Sequence, residues 1–332
     1  MQVLSKKYAC VLNTRSIALN NSLFHEPWWL SAVTGGSYEE VSVQQGGKTV
    51  GRLPYVSMQR GPFRISRMPP FTHLLGPLVN AGVGKPQSRM AKRLSITRAL
   101  IDQLPAFSYI EQHFDPAADD GLALADGLAF QDRNFMVAPQ YTFEIDCRRS
   151  PEELWAAMHF KTRQHVRRAE EKYEIRSFED PEQFAHIYQM NLGAFGRKNR
   201  TDFLFFPKLF SECRSRNCGE IIAAYGADSR PVSLVYLVWS TDTMYYLMYT
   251  RSANRDDNGS VNLLIWSAMK LAHERGLKFD LDGVYTSGTA RFLSGFGGDI
   301  KTRLVAKRTR SVFRGLQCLK LRYTGNETQF FT

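Results

Sequence analysis

Two carboxylates spaced by one residue, Asp280 and Asp282, close the run Lys278-Phe-Asp-Leu-Asp-Gly283, and a glycine-punctuated stretch, Gly288-Thr-Ala-Arg-Phe-Leu-Ser-Gly-Phe-Gly-Gly298, follows. Alternation of Leu277, Phe279 and Leu281 predicts a strand over 278–282 with one face buried and both carboxylates on the other face, at its C-terminal end. Open α/β sheets bind their ligands at that end. A carboxylate there can strip the proton from an amine, the first requirement of amide formation. The others are fixed donors for a developing oxyanion and an acid for the leaving group. Asp282, beside Gly283, is the first candidate for base or amine anchor, and Asp280 the second. The competing reading is a plain Asp-Gly turn. Tyr249, at the end of its own strand pattern, is the candidate acid for a leaving thiolate or alcohol; packing beside Tyr245 and Tyr246 is its competing role.

A second set of residues could hold an anion. Arg163 and Arg167 stand four apart on one predicted helix, so they share a face, with Lys161 and Arg168 nearby. Guanidinium forks match phosphate oxygens, and this face is predicted to take the diphosphate of a nucleotide-linked or lipid-linked sugar acceptor. Glu170 and Glu171 partly neutralise it, and a solvated face is the alternative. Arg291, in the short helix after the carboxylate strand, is a further anion candidate.

The remaining residue types mostly exclude. Five cysteines are scattered without CxxC pairs and seven histidines show no ligand spacing, so no metal site is predicted. Trp28, Trp29 and Phe24 are expected in a helix packed on the first core rather than a sugar-stacking platform. No Ser-His-Asp signature, Walker loop or full GxGxxG is present, which leaves hydrolase, NTPase and dinucleotide-oxidoreductase readings unsupported.

The elements that must position these residues recur in one order. The first half reads as strands over 38–45 and 48–59 across Gly46-Gly47, a helix over 87–104, a strand over 107–114, a short helix over 119–125 and a strand over 135–145. In the second, strands over 220–225, 232–239 and 244–249 precede a helix over 260–275, the carboxylate strand, a short helix from 288 and a strand over 302–307. Ser150-Pro-Glu-Glu combines a capping box with a proline at the first helical position, and the helix it opens is predicted to run to about 173, followed by one over 181–195. The chain is therefore expected to hold an N-terminal degenerate unit over 1–149, a C-terminal working unit over 150–310, and an amphipathic helix and tail over 311–332. Glu111 and His113 fall where the second unit has its carboxylates.

Hydrophobic content of 43% and charged content of 23% fit a soluble globular protein. No apolar run approaches the ~20 residues of a membrane span. The N-terminus lacks the pattern of a secretory signal, so a cytoplasmic location is expected. The net charge of +11 favours polyanionic partners or peripheral contact with an anionic membrane. Part of it is concentrated between Lys301 and Arg322, which contains eight basic residues and no acidic one.

Taken together, the basic helix Phe160-Lys-Thr-Arg-Gln-His-Val-Arg-Arg-Ala-Glu170, the segments Tyr245-Tyr246-Leu247 and Leu263-Leu264-Ile265-Trp266, and the block from Phe279 to Gly298 resemble GNAT-fold acyltransferases. The likeness is to their Fem-like and polysaccharide-cluster branch. It spans roughly residues 150 to 308, and more loosely Phe24-His-Glu-Pro-Trp-Trp-Leu30 and Arg52-Leu-Pro-Tyr55. It implies an α/β fold of two GNAT units in tandem, each a mixed sheet flanked by helices, and acyl transfer to an amine. The expected acceptor is an amino group of a cell-envelope or exopolysaccharide sugar precursor. Members of the branch resemble either acyl-CoA users or aminoacyl-tRNA users, and tRNA is a partner only in the second case. The resemblance maps the donor turn onto Arg255-Asp-Asp-Asn-Gly-Ser260, making Arg255, Asn258, Gly259 and Ser260 the donor-binding candidates. Asn258 and Ser260 replace the glycines of the wider family's turn, and Asp256 and Asp257 would repel a pyrophosphate. An aminoacyl-tRNA-dependent transferase acting on a peptidoglycan precursor peptide, or a non-catalytic component of a polysaccharide assembly complex, are the alternatives.

Overall fold

The computed structural model describes residues 22–115, 123–199, 201–253, 259–284 and 286–311, together with Phe313. The chain forms two compact units. The larger holds Pro27–Gly35 and Gln140–Thr302, and the smaller holds Gly36–Pro139 with the described parts of 16–26 and 303–332. A single cut at 149 does not describe this division. The tryptophan-bearing helix Pro27–Thr34 falls with the second half of the chain, and the end of the strand Asp299–Thr309 falls with the first.

In the larger unit the strands lie in the order Met136–Asp146 (from Gln140 on), Lys278–Asp280, Thr243–Arg251, Pro231–Trp239, Gly219–Tyr225, Glu174–Ser177. All neighbours are antiparallel except Thr243–Arg251 and Lys278–Asp280, which run parallel. The run Leu234-Val-Tyr-Leu-Val238 is buried on both faces, the signature of a central strand. The helix Ser260–Glu274 packs on that strand and on the basic helix Phe160–Glu170. The helix Phe206–Ser215 packs on Pro27–Thr34, where the Arg216 guanidinium lies 4.4 Å from the Trp28 ring.

The long helix expected from Ser150 is two helices. The capping box forms, with Glu153 N–H donating to Ser150 Oγ, but the helix Pro151–Ala157 ends where Met158 turns extended and buried. A second helix, Phe160–Glu170, starts with His159 as its cap. The break is held from outside, because His159 N–H donates to the Gly295 carbonyl at 2.9 Å. Close by, Gly297 has φ +81° and leaves room for no Cβ, which would sit 2.7 Å from the Ala157 carbonyl. Packing against the glycine block therefore overrides a helical pattern that runs through 158 and 159. The described helix near 119–125 is Ala123–Gln131, and Glu174–Ser177 and Phe206–Ser215 are further elements. The amphipathic helix and tail expected over 311–332 lie outside the described residues but for Ser311 and Phe313.

The smaller unit keeps the predicted hairpin. Glu39–Gln45 and Lys48–Tyr55 pair antiparallel across Gly46 and Gly47, both left-handed, and Leu78–Val79 joins them. Its other strands run in the order Met58–Arg60, Phe63–Ser66, Tyr109–His113, Asp299–Thr309. The helix Pro86–Gln103 buries Ile96, Leu100 and Ile101 in this core, with Arg93 paired to Asp126 at 2.6 Å. Glu111 is absorbed here by three neighbours. Burial would raise its carboxyl, but His113, Tyr109 and Lys307 outweigh burial and hold it at about 2.

Candidate active site

The parallel pairing in the larger unit is short. Thr243, Met244 and Tyr245 face Lys278, Phe279 and Asp280, and there the ladder stops. The chain after Asp280 follows the opposite neighbour instead, with Leu281 N–H donating to the Phe143 carbonyl at 2.8 Å and Val284 N–H to the Tyr141 carbonyl at 2.9 Å. The strands part toward their C-terminal ends, where α/β sheets bind ligands. The gap is a cleft of about 370 Å³, with Tyr246 to Tyr249 on one wall and Leu281, Asp282 and Gly283 on the other. Val261 and Ile265 of the helix Ser260–Glu274 and Thr289, Phe292 and Leu293 of the helix Ser287–Ser294 complete it. A β-bulge shapes the first wall: Tyr236 faces Met248 and Leu237 faces Tyr246, so Leu247 is the extra residue.

The two carboxylates do not share a strand face. Asp280, only 8% exposed, accepts hydrogen bonds at Oδ1 from the Thr142 hydroxyl and, at 2.8 Å, from the Asp282 backbone N–H. That second bond closes a tight turn in which Asp282 takes φ +52°, a left-handed conformation tolerated by Asp far better than by bulky residues. The strand thus ends at Asp280, two residues before the expected end at 282. Asp280 positions the turn, and Asp282 lines the cleft half-buried.

Three tyrosines surround the same space. Tyr249 is 48% exposed and lines the cleft. Its ring is 5.3 Å from that of Tyr246, whose hydroxyl is buried and finds no hydrogen-bond partner among the described residues. Burial, with Tyr249 adding to it, pushes the Tyr246 phenol well above its ordinary range, so it stays a donor at any physiological pH. Tyr188, the third, is also raised by burial.

The donor-turn candidates are only partly within view. Arg255 and Asn258 lie outside the described residues. Gly259 caps the helix Ser260–Glu274 at φ +95°, and a Cβ there would meet the His165 carbonyl at 2.9 Å. Ser260 is buried. This helix start, with its positive dipole end, adjoins the cleft through Val261.

The basic helix is otherwise employed. Arg163 Nη1 donates to the carbonyls of Trp155 and Ala156 at 3.3 and 3.2 Å, capping the end of Pro151–Ala157. Arg167 lies over the Trp155 ring at 5.5 Å, and Trp155 packs on Trp266. Lys161 and Arg291 are exposed, and none of these four cations lines the cleft. Among the described residues no cluster of His, Cys, Asp or Glu is placed to hold a metal.

A second pocket, of about 240 Å³, adjoins the first and shares Tyr188 and Tyr249 with it. Its lining includes Asn191, Arg197 and Arg251, none of which stands out in the sequence. The available signal is Phe195-Gly-Arg197 at a helix end, a glycine stop followed by a basic residue.

Residues 137–291, which carry most of the cleft, match the family described as acetyltransferase (GNAT) domain. Among solved structures, FemX is similar with a TM-score of 0.63 at 13% identity, over 90% of this chain and 94% of that one. The C-terminal domain (DUF2156) of a putative lysylphosphatidylglycerol synthetase from Agrobacterium fabrum gives 0.54 at 14% identity, over 88% and 90%. L-PGS from Bacillus licheniformis gives 0.53 at 12% identity, over 90% and 92%. At such identities the likeness is one of fold. No curated protein matches in sequence.

Proposed function

We propose that this chain, whose residues 137–291 match an acetyltransferase (GNAT) domain, is an N-acyltransferase acting on an amino group of a cell-envelope or exopolysaccharide sugar precursor. The observation that carries this reading is the cleft between the parted strands, with Asp282 on one wall and Tyr249 on the other. In this scheme Asp282 takes the proton of the acceptor ammonium. The freed nitrogen forms a bond to the acyl carbon, the bond from that carbon to sulfur breaks, and Tyr249 donates a proton to the leaving thiolate. The new amide nitrogen sheds its second proton through water to the Tyr249 phenolate, and Asp282 returns its proton to solvent, so both groups are restored. Apolar Leu247, Val261, Ile265, Leu281 and Leu293 suit the acyl chain of an acyl-CoA donor. The helix start at Gly259 and Ser260 is the element suited to the donor's phosphates.

No helix among the described residues is long and apolar enough to cross a membrane. In this reading a lipid-linked acceptor is met at the membrane surface, with the net charge of +11 favouring an anionic leaflet.

The test is to incubate the purified protein with acetyl-CoA, longer acyl-CoAs or aminoacyl-tRNA and a panel of free and nucleotide-linked amino sugars. Thiol release and product mass are followed. The expected result is thiol release that depends on an amino sugar and is lost in Asp282→Asn. Transfer from aminoacyl-tRNA alone would replace the donor and make the reaction that of a Fem-like transferase. Binding of nucleotide sugars without transfer from any donor would overturn the enzymatic reading in favour of a binding component.

A further inference from the structure

The second pocket meets the acyl cleft at Tyr188 and Tyr249, and its chemistry differs from its neighbour's. Arg197 and Arg251 line it, and no described carboxylate does. Both arginines stand on defined elements. Arg251 ends the bulged strand Thr243–Arg251, and its guanidinium lies 5.1 Å from the Phe195 ring, which limits its rotamers. Arg197 follows the helix Pro181–Ala194 through Gly196 at φ +66°, and its N–H donates to the Leu192 carbonyl at 2.9 Å. That is a Schellman stop, which fixes the direction in which the chain, and Arg197 with it, leaves the helix. Asn191 donates to Thr250 Oγ1 at 2.9 Å and ties this helix to the strand.

We infer that this pocket is an oxyanion subsite: Arg197 and Arg251 hold a phosphate or carboxylate group carried by the acceptor, while its amine reaches past Tyr249 to Asp282. The inference rests on the acyl-transfer reading for the identity of the bound molecule as acceptor. Two guanidinium groups provide paired N–H donors that match either oxyanion, and the aromatic wall of Tyr188, Phe195 and Tyr249 weakens competition from water. The side of approach follows from the linings. Helix Ser260–Glu274 contributes Val261 and Ile265 to the acyl cleft and nothing to this pocket, so a donor seated on that helix leaves the arginine pocket to the acceptor. The expected anion-binding role thus falls to two arginines that line one cavity, whereas Arg163 caps a helix end and Arg167 lies over Trp155 outside either pocket.

The probes are glucosamine, a glucosamine phosphate and a hexosamine bearing a carboxylate, titrated by calorimetry into wild type, Arg197→Gln/Arg251→Gln and the matching double Lys variant. Acceptor and donor KM are measured in parallel wherever transfer occurs. In wild type at least one anionic amine should bind about tenfold or more tighter than glucosamine. The double Gln variant should lose that preference and the double Lys variant should keep part of it, with donor KM within about twofold of wild type. The phosphate and carboxylate arms decide which oxyanion is native. A wild type without preference, or a double Gln variant that retains it, overturns the subsite. Preference for an anionic amine that is lost in the Gln variant, with no transfer from any donor, upholds the subsite and removes the acyltransferase reading instead.

Discussion

Asp282 combines two properties that substitutions can separate, a left-handed backbone and a carboxylate facing the cleft. Asp282→Gly keeps the turn at no steric cost, so its stability should match or exceed wild type while kcat/KM falls by roughly 10² to 10⁴, the usual worth of a positioned base. Retained turnover in this variant would show that the carboxylate is not the base. Asp280 should behave in the opposite way. Asp280→Ala removes the acceptor used by Thr142 and by the Asp282 N–H, and should cost about 1 to 3 kcal/mol in urea unfolding, with activity falling only as far as the turn loosens. At this scale the sequence was informative about type and less so about placement. The Asp-Leu-Asp-Gly run lies at the wall of the cleft, but alternation continues past the point where a side chain to backbone bond ends the strand. Nothing in a one-dimensional pattern places Thr142 under Asp280.

The basic helix shows what periodicity can and cannot say. Spacing put Arg163 and Arg167 on one side, and the structure fills that side with the end of Pro151–Ala157. The break at Met158, which creates those capped carbonyls, depends on a contact from Gly295 more than a hundred residues away, so no local signal announces it. Arg163→Ala should therefore lower stability by about 1 to 3 kcal/mol and leave acceptor KM unchanged; a raised KM would return this helix to the binding site. At the start of Ser260–Glu274, Gly259 combines φ +95° with a backbone carbonyl where a Cβ would go. Gly259→Ala must shift one helix against the other. It should cost about 1 to 3 kcal/mol in denaturant unfolding and raise donor KM more than acceptor KM. Equal effects on both constants would place the donor elsewhere.

At the scale of the whole molecule, acid should act first on a buried histidine. His25 is fully buried, bonded to Ser22 and to the Gly76 carbonyl, and desolvation holds it at about 4 against an ordinary 6.5. Between these values the unfolded chain binds a proton that the folded chain refuses, so stability falls as pH drops from about 6.5 to 4, by on the order of 3 kcal/mol. Wild type should lose more stability than His25→Gln between pH 7 and 4.5. Parallel pH dependences in urea titrations would show that another group controls acid unfolding. The repeated order of elements was legible because hairpins, caps and alternation are local. The division of the chain was not, because it depends on which distant segments touch.

The path of the chain has a consequence in time. Helix Pro27–Thr34 leaves the ribosome early, yet its neighbour Phe206–Ser215, with the Arg216 that covers Trp28, follows roughly 170 residues later. At about 5 to 20 residues per second that is a wait of roughly ten to thirty seconds. For that interval Trp28, Trp29 and Leu30 form an apolar surface awaiting a partner not yet synthesised. Newly made chains would thus pass through a sticky adolescence in which holding chaperones matter more than intrinsic stability, and a slower ribosome would lengthen the exposure without altering the finished protein.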